Sequence, residues 1–231
     1  MDSRVEQFTE RLSEMCPAGS NILDLGCGTG EIAAALGQRG YAVTACDFAE
    51  EMIDVARSSH NGTAVQWVRL EPDWEVLPFA DNSFDGMVAS SVFEYLVDAP
   101  RVAAELARVL RPGGSLLLSI PNPGNGVRKV EAWLQSMRFD HRLPPLLRRV
   151  QRIDSYATYL RLSRNRFAGH QWESLLNAAG FTALDKNDFS EYAWREQSKT
   201  PLILLAVRRA GTGAEGQFVG AASRTTAKTK T

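Results

Sequence analysis

Apolar positions fall in two rhythms along this chain. Short continuous runs at Asn21–Leu25, Ala42–Cys46, Ala64–Arg69, Phe84–Ala89 and Ser115–Ile120 read as strands buried on both faces. Between them the apolar residues return at helical spacing: Val5, Phe8 and Leu12; Ile32, Ala35 and Leu36 within Glu31–Arg39; Met52, Ile53 and Ala56; Val102, Leu106 and Val109. Punctuation agrees with the rhythm. Gly40 ends the second helix, Asp98 and Pro100 open the fourth, and Arg111-Pro112-Gly113-Gly114 stops it. A further helix near Trp172–Ala179 ends at Gly180, and two last strands, about Thr182–Phe189 and Pro201–Val207, form an antiparallel pair at the sheet edge. Strand and helix alternating in this way predict an α/β domain with helices on both faces of a mostly parallel sheet.

Composition narrows the picture. With 231 residues, 44 % hydrophobic and 23 % charged, the chain can bury one sizeable core, placed at residues 1–209. Residues 210–231 carry mainly Gly, Ala, Ser, Thr and a few charges, and are expected as a disordered tail. A net charge of −1 offers no overall attraction to nucleic acid or anionic lipid. No apolar run reaches the roughly 20 residues of a membrane span, and the acid-rich first fifteen residues are no secretory signal, so a cytoplasmic protein is expected. Cys16, Cys27 and Cys46 form no Cys-x-x-Cys pair and the His residues are scattered, so no metal site is expected.

Charge is unevenly distributed. The segment from 127 to 170 holds ten Lys and Arg against Glu131, Asp140 and Asp154, a surplus of seven, interleaved with Trp133, Phe139, Tyr156, Tyr159 and Phe167. Arginine suits bidentate contact with carboxylate or phosphate, which points to an anionic small molecule or a carrier with a phosphate arm. The plainer alternative is a solvated pair of arginine-rich helices whose aromatics simply pack on the sheet.

The chemistry concentrates at Ile22-Leu23-Asp24-Leu25-Gly26-Cys27-Gly28-Thr29-Gly30, a buried strand running into a glycine turn at the mouth of a helix. Glycine permits positive φ and close approach of a ligand, and N–H groups at a helix start favour an anionic partner. A dinucleotide fingerprint would need glycine at position 31, where Glu31 stands. Asp24, an acid inside an apolar strand, is costly to bury unless it serves an ammonium group or the turn's own N–H groups.

These residues resemble the first motif of the class I S-adenosylmethionine-dependent methyltransferases. The resemblance continues through Asp47, Asp73-Trp74 with Asp81–Asp85, Ser90–Tyr95, Arg108–Gly114 and Ser119–Asn122, covering residues 20–123 with a weaker match at Leu175–Phe181. It implies a Rossmann-like seven-stranded sheet with an antiparallel edge strand, and S-adenosylmethionine as cofactor. It places Asp24, Gly26, Gly28 and Gly30 in the cofactor turn and Asp47 on both ribose hydroxyls. Phe48 and Met52 would flank the adenine, Asp73 would accept its amino hydrogen, and the Trp74 backbone N–H would meet the ring. Ser90 would line the methyl-donor end. Glu71-Pro72 and Trp74 depart from the small residues common in that stretch of the family.

The expected lid comprises helix 1–15 and the basic insert 127–169, with Glu94 and His141 as candidate catalytic or substrate-orienting groups. A small-molecule acceptor is expected, with O, N and C left open as acceptor atoms. An RNA or carrier-bound substrate and a non-catalytic cofactor-binding partner are the alternatives. Nucleic acid is disfavoured, because Ser90-Ser91-Val92-Phe93 stands where an Asn/Asp-Pro-Pro-aromatic run would be, and no Pro-Cys nucleophile is present.

Overall fold

The computed structural model describes residues 3–138, 151–184 and 200–211. The elements follow in the order α1 (Ser3–Met15), β1 (Asn21–Leu25), α2 (Glu31–Gln38), β2 (Ala42–Asp47), α3 (Glu50–Ser59), β3 (Val65–Arg69), β4 (Phe84–Ala89) and α4 (Ala99–Val109). Then come β5 (Leu110–Pro121), α5 (Gly126–Ser136), α6 (Gln151–Leu162), α7 (Gly169–Ala178), β6 (Phe181–Ala183) and β7 (Leu202–Arg209).

They build a seven-stranded sheet in the order β3-β2-β1-β4-β5-β7-β6. β1 runs parallel to β2 (Ile22 opposite Val43) and to β4 (Ile22 opposite Gly86), and β4 runs parallel to β5. β7 enters antiparallel between β5 and the short edge strand β6. Strand order reverses between β1 and β4, and in open α/β sheets the crevice beyond the strand carboxyl ends at such a point is where ligands bind.

Alternating strand residues feed two cores. Leu23, Leu25, Met87, Ala89, Leu116 and Leu118 face α4 and α7, where Leu106 and Trp172 are fully buried. Ile22, Val43, Val88 and Leu117 face α1 and α2. The apolar stripe of α1, expected to belong to a lid, therefore packs on the sheet and its neighbouring helix: Val5, Phe8 and Leu12 are buried against α2, β4 and β5. The amino end of this helix still reaches toward the site, since Arg4 acts electrostatically on Asp24.

Strand five begins earlier than the sequence predicts. Arg111-Pro112-Gly113-Gly114 belongs to β5, with a register shift opposite Phe84 and Gly86. Gly113 takes a φ of 79°, and a Cβ on Gly114 would lie 2.8 Å from the Asp85 carbonyl oxygen. The Arg111 guanidinium binds the Asp85 carboxylate and, at 3.0 Å, the Asn82 carbonyl. A bulge pinned by an ion pair thus continues a strand that glycines would otherwise end. The expected strand to Phe189, the tail from residue 212 and much of the basic insert lie outside the described residues. Among the described residues no helix is long and apolar enough to cross a membrane.

Candidate functional site

Gly26, Gly28 and Gly30 all take positive φ, at 66°, 53° and 86°, yet they serve different ends. A Cβ on Gly26 would meet Val92 Cγ2 at 2.5 Å, and one on Gly30 would meet the Trp67 ring at 2.5 Å. Those two glycines let the turn press onto the protein. A Cβ on Gly28 would meet nothing within 4 Å, so this glycine faces open space at the sheet's reversal point.

The amides of the turn are mostly committed internally. Gly26 and Cys27 donate to the Cys46 carbonyl at 2.8 and 3.1 Å, Gly30 to Cys27, and Gly28 to Asp47 Oδ2 at 2.9 Å. These four are therefore not available to bind an anion, which differs from the nest of N–H groups the sequence predicts, and a pyrophosphate would find few donors here. What the loop does is fix Asp47. Its second oxygen accepts from the Ala49 N–H at 2.9 Å, and the remaining lone pairs of a half-buried carboxylate suit a diol.

Asp24 lies beneath the turn, 1 % exposed. Burial, and then the negative charge of Asp47, push its carboxyl up to about 8, while a hydrogen bond from the Ala33 backbone works against them. Its Oδ2 has no hydrogen-bond partner, and neither does the buried Ser90 Oγ at the end of β4. Buried polar atoms are nearly always paired, so two orphans on adjacent strand ends mark a place for a polar ligand. Phe48 and Met52 stand just past β2, 59 % and 43 % exposed, as apolar surface without a protein partner to cover it. Asp73 is exposed. The Trp74 N–H already donates to the Glu71 carbonyl at 3.1 Å, closing the turn that Glu71-Pro72 introduces. That amide is spent, leaving the Asp73 carboxylate as the polar group of this segment.

Glu94 is placed differently from an open-site base. It is 2 % exposed, and its Oε2 accepts from Arg128 at 3.3 Å and from Ser163 Oγ at 3.1 Å. Its carbonyl accepts from the N–H groups of Arg164 and Asn165. Arg128 also pairs with Glu131 at 3.1 Å and binds the Tyr159 hydroxyl, while Arg166 pairs with Glu131 at 2.8 Å. This neutral cluster joins the end of β4 to α5 and α6. Tyr95, Tyr156 and Tyr159 gather at its edge, with ring centroids 6.4 and 5.9 Å apart. Burial and the negative charge of Glu94 raise the Tyr95 and Tyr159 hydroxyls above the ordinary phenol range.

Sequence reasoning missed Arg128, Glu131, Tyr159 and Arg166 as a unit. The available signal was the spacing of Arg128 and Glu131, three apart on a helix whose other polar residues are few. It also missed Ser91, whose φ of 57° and N–H bond to Ser119 Oγ fix the loop after β4. His141 lies outside the described residues. A cleft of about 560 Å3 opens at the opposite, amino-terminal end of the strands beside Asn21, Thr44, Gln66 and Phe84, away from all these groups.

Residues 23–118 match the model of a methyltransferase domain. Demethylmenaquinone methyltransferase of Clavibacter sepedonicus is 33 % identical over 178 residues, 75 % of this chain and 70 % of that protein. The biotin biosynthesis bifunctional protein BioHC of Cellvibrio japonicus is 41 % identical over 122 residues, covering 53 % of this chain and 24 % of its own length. Among solved structures, magnesium protoporphyrin IX methyltransferase from Synechocystis superposes with a TM-score of 0.63 at 17 % identity, over 90 % of this chain and 83 % of that one. The chain spans a quarter to half the length of several curated relatives it matches. With the strand order and the site beyond it, these similarities define the class: the chain belongs to the class I S-adenosylmethionine-dependent methyltransferases. The residues present fit that cofactor, through the open face of Gly28, the ready Asp47 carboxylate and the unpartnered oxygens of Asp24 and Ser90.

Proposed function

We propose that this chain transfers a methyl group from S-adenosylmethionine to a small organic acceptor. The observation that carries the reading is the open face of Gly28 beside an Asp47 carboxylate fixed at 2.9 Å, with two buried oxygens lacking partners nearby in the fold. When bound, S-adenosylmethionine supplies an electrophilic methyl carbon. The protein's part is to hold the cofactor and acceptor in line and exclude water. Asp47 takes the ribose hydroxyls, Phe48 and Met52 cover the adenine faces, Asp73 accepts the adenine amino hydrogen and Asp24 receives the ammonium group.

The acceptor enters past Tyr95, Tyr156 and Tyr159. Glu94 acts as a positioning residue, because its carboxylate is buried and already engaged by Arg128 and the Ser163 hydroxyl. The acceptor's own charge follows from the same pairs. Arg128 and Arg166 are already matched by Glu94 and Glu131, so an anionic acceptor would have to displace a carboxylate to reach them. Among the described residues, the arginines without such a pair, Arg138, Arg152, Arg161 and Arg164, are exposed, which favours a neutral or weakly acidic acceptor. Relatives named for demethylmenaquinone and magnesium protoporphyrin IX agree in kind, as small organic acceptors.

The test combines binding with turnover. S-adenosylhomocysteine at about 100 times its Kd adds about 2.7 kcal/mol, raising the melting midpoint by roughly 5–10 °C. Asp47→Ala removes most of that rise, and NAD produces none. Methyl-labelled cofactor offered with phenols, quinols, carboxylates and amines then reveals the acceptor class. An unmoved midpoint, or a rise that survives Asp47→Ala, overturns the assignment.

A further inference from the structure

Helix α5 is built inside out. Its buried positions are Arg128 and Glu131, while Val127, Val130, Trp133 and Met137 at its carboxyl end face outward, between 42 % and 59 % exposed. At a 100° turn per residue these four side chains occupy one stripe of about a third of the circumference. The orientation is enforced. Rotating the helix to bury the stripe would pull Arg128 from Glu94, Tyr159 and the Pro201 carbonyl, and Glu131 from Arg166, exposing uncompensated charges left in the core.

The described exposed charges of α5 and α6 are mostly of one sign. On the described surface of α5, α6 and the residues beside them, Lys129, Arg138, Arg152, Arg161 and Arg164 are exposed and only Asp154 opposes them. A second copy of this face would meet it with like charge. Trp and aliphatic residues rimmed by Lys and Arg are the signature of a helix lying in the headgroup boundary of an anionic bilayer.

We propose that the outer face of α5 and α6 rests on an anionic lipid surface. Val127, Val130, Trp133 and Met137 enter the acyl boundary while Lys129 and Arg138 meet lipid phosphates. The lid would then sit at the water–lipid boundary, where an apolar acceptor is concentrated. The inference stands on the surface alone and survives if the cofactor or acceptor is different.

Co-sedimentation of the full chain with phosphatidylcholine vesicles, with and without phosphatidylglycerol, tests it. Binding is expected only with the anionic vesicles and weakens as salt rises. Each basic contact contributes about fivefold to partition, so Lys129→Gln with Arg138→Gln lowers it about thirtyfold. Trp133→Ser with Val130→Ser also lowers it, and the melting-point rise with S-adenosylhomocysteine is unchanged in both double variants, which shows that they fold. Failure of the wild type to sediment, or equal sedimentation of wild type and both variants, overturns the proposal. So does a soluble dimer that Trp133→Ser dissociates without any vesicle binding. Loss of the homocysteine response in the wild type would instead count against the methyltransferase reading and leave the vesicle result standing.

Discussion

Asp24→Asn should make the protein more stable and the cofactor site worse. Asp24 is 1 % exposed and its carboxyl is pushed up to about 8 by burial and by Asp47. In the unfolded chain an aspartate ionises near 3.9. Between those values the native state holds a proton that the unfolded state has released, so stability is greatest at low pH and falls as pH rises from about 4 to about 8. At pH 7 the loss is ~4 kcal/mol, three pH units at 1.36 kcal/mol each. Asn removes the titration at nearly constant shape, so the variant should gain on the wild type steadily between pH 4 and 8 and no further above it.

Binding runs the other way. An ammonium group that meets Asp24 must find it ionised, so each pH unit below about 8 costs tenfold in affinity, and Kd for S-adenosylhomocysteine should fall about thirtyfold from pH 5.5 to 7. Urea titrations at several pH values and calorimetry on both proteins read the two effects. In Asp24→Asn the binding slope disappears and the affinity at pH 7.5 drops. A stability difference independent of pH, or a wild-type Kd flat across that range, would refute the reasoning.

Three further outcomes follow from the same geometry. Gly28→Ala introduces only the strain of a positive φ, about 1–2 kcal/mol, but its methyl enters the ligand space; Gly30→Ala adds an overlap with Trp67 and should cost about 2–5 kcal/mol. Melting curves with and without S-adenosylhomocysteine separate them: the first variant melts normally but loses most of the ligand response, the second melts early, and the reverse pattern would contradict the roles given to these glycines. Glu94→Gln leaves Arg128 with Glu131 alone as its charged partner and should loosen the lid by about 3 kcal/mol, seen as faster proteolysis near α5. KM should then rise while the pH profile of kcat keeps its shape; loss of an acidic limb in kcat would instead make Glu94 a general base. Burial holds Cys16 up to about 11 and Cys27 and Cys46 higher still, so at pH 7.5 under about 0.1 % of each is thiolate. Ellman's reagent should find all three only after denaturation, and one fast-reacting equivalent in the native protein would count against this.

The parallel strands and the glycine turn were legible because each is specified by contiguous residues. Leu23-Asp24-Leu25-Gly26 must be a strand meeting a tight turn wherever it lies in space, and Asp47 falls beside Gly28 because parallel pairing places Leu25 opposite Cys46. The destination of the turn's amides was not legible, since Cys46 O and Asp47 Oδ2 become acceptors only once β2 is in register. Strand β5 was shortened in the reading because glycine and proline end isolated strands, whereas here the Arg111–Asp85 pair carries the chain through the bulge.

The facing of helix α5 is hidden from the sequence for a deeper reason. Reading a helix by its apolar period assumes that the apolar face goes inward, which holds when water is the only alternative to the core. Arg128 and Glu131 overturn that assumption because their partners, Glu94, Tyr159 and Arg166, come from the loop after β4, from α6 and from just beyond it. Only when those segments meet is a charged interior less costly than an apolar one. The insert's basic charge was therefore visible in the sequence while its direction was not: the pairs turn two arginines inward and neutral, and the remaining described ones outward, beside Trp133. As a trap for an anionic acceptor the surplus needs only its arginines, and as the rim of an apolar surface it needs Trp133 as well, so the vesicle experiment decides between the two.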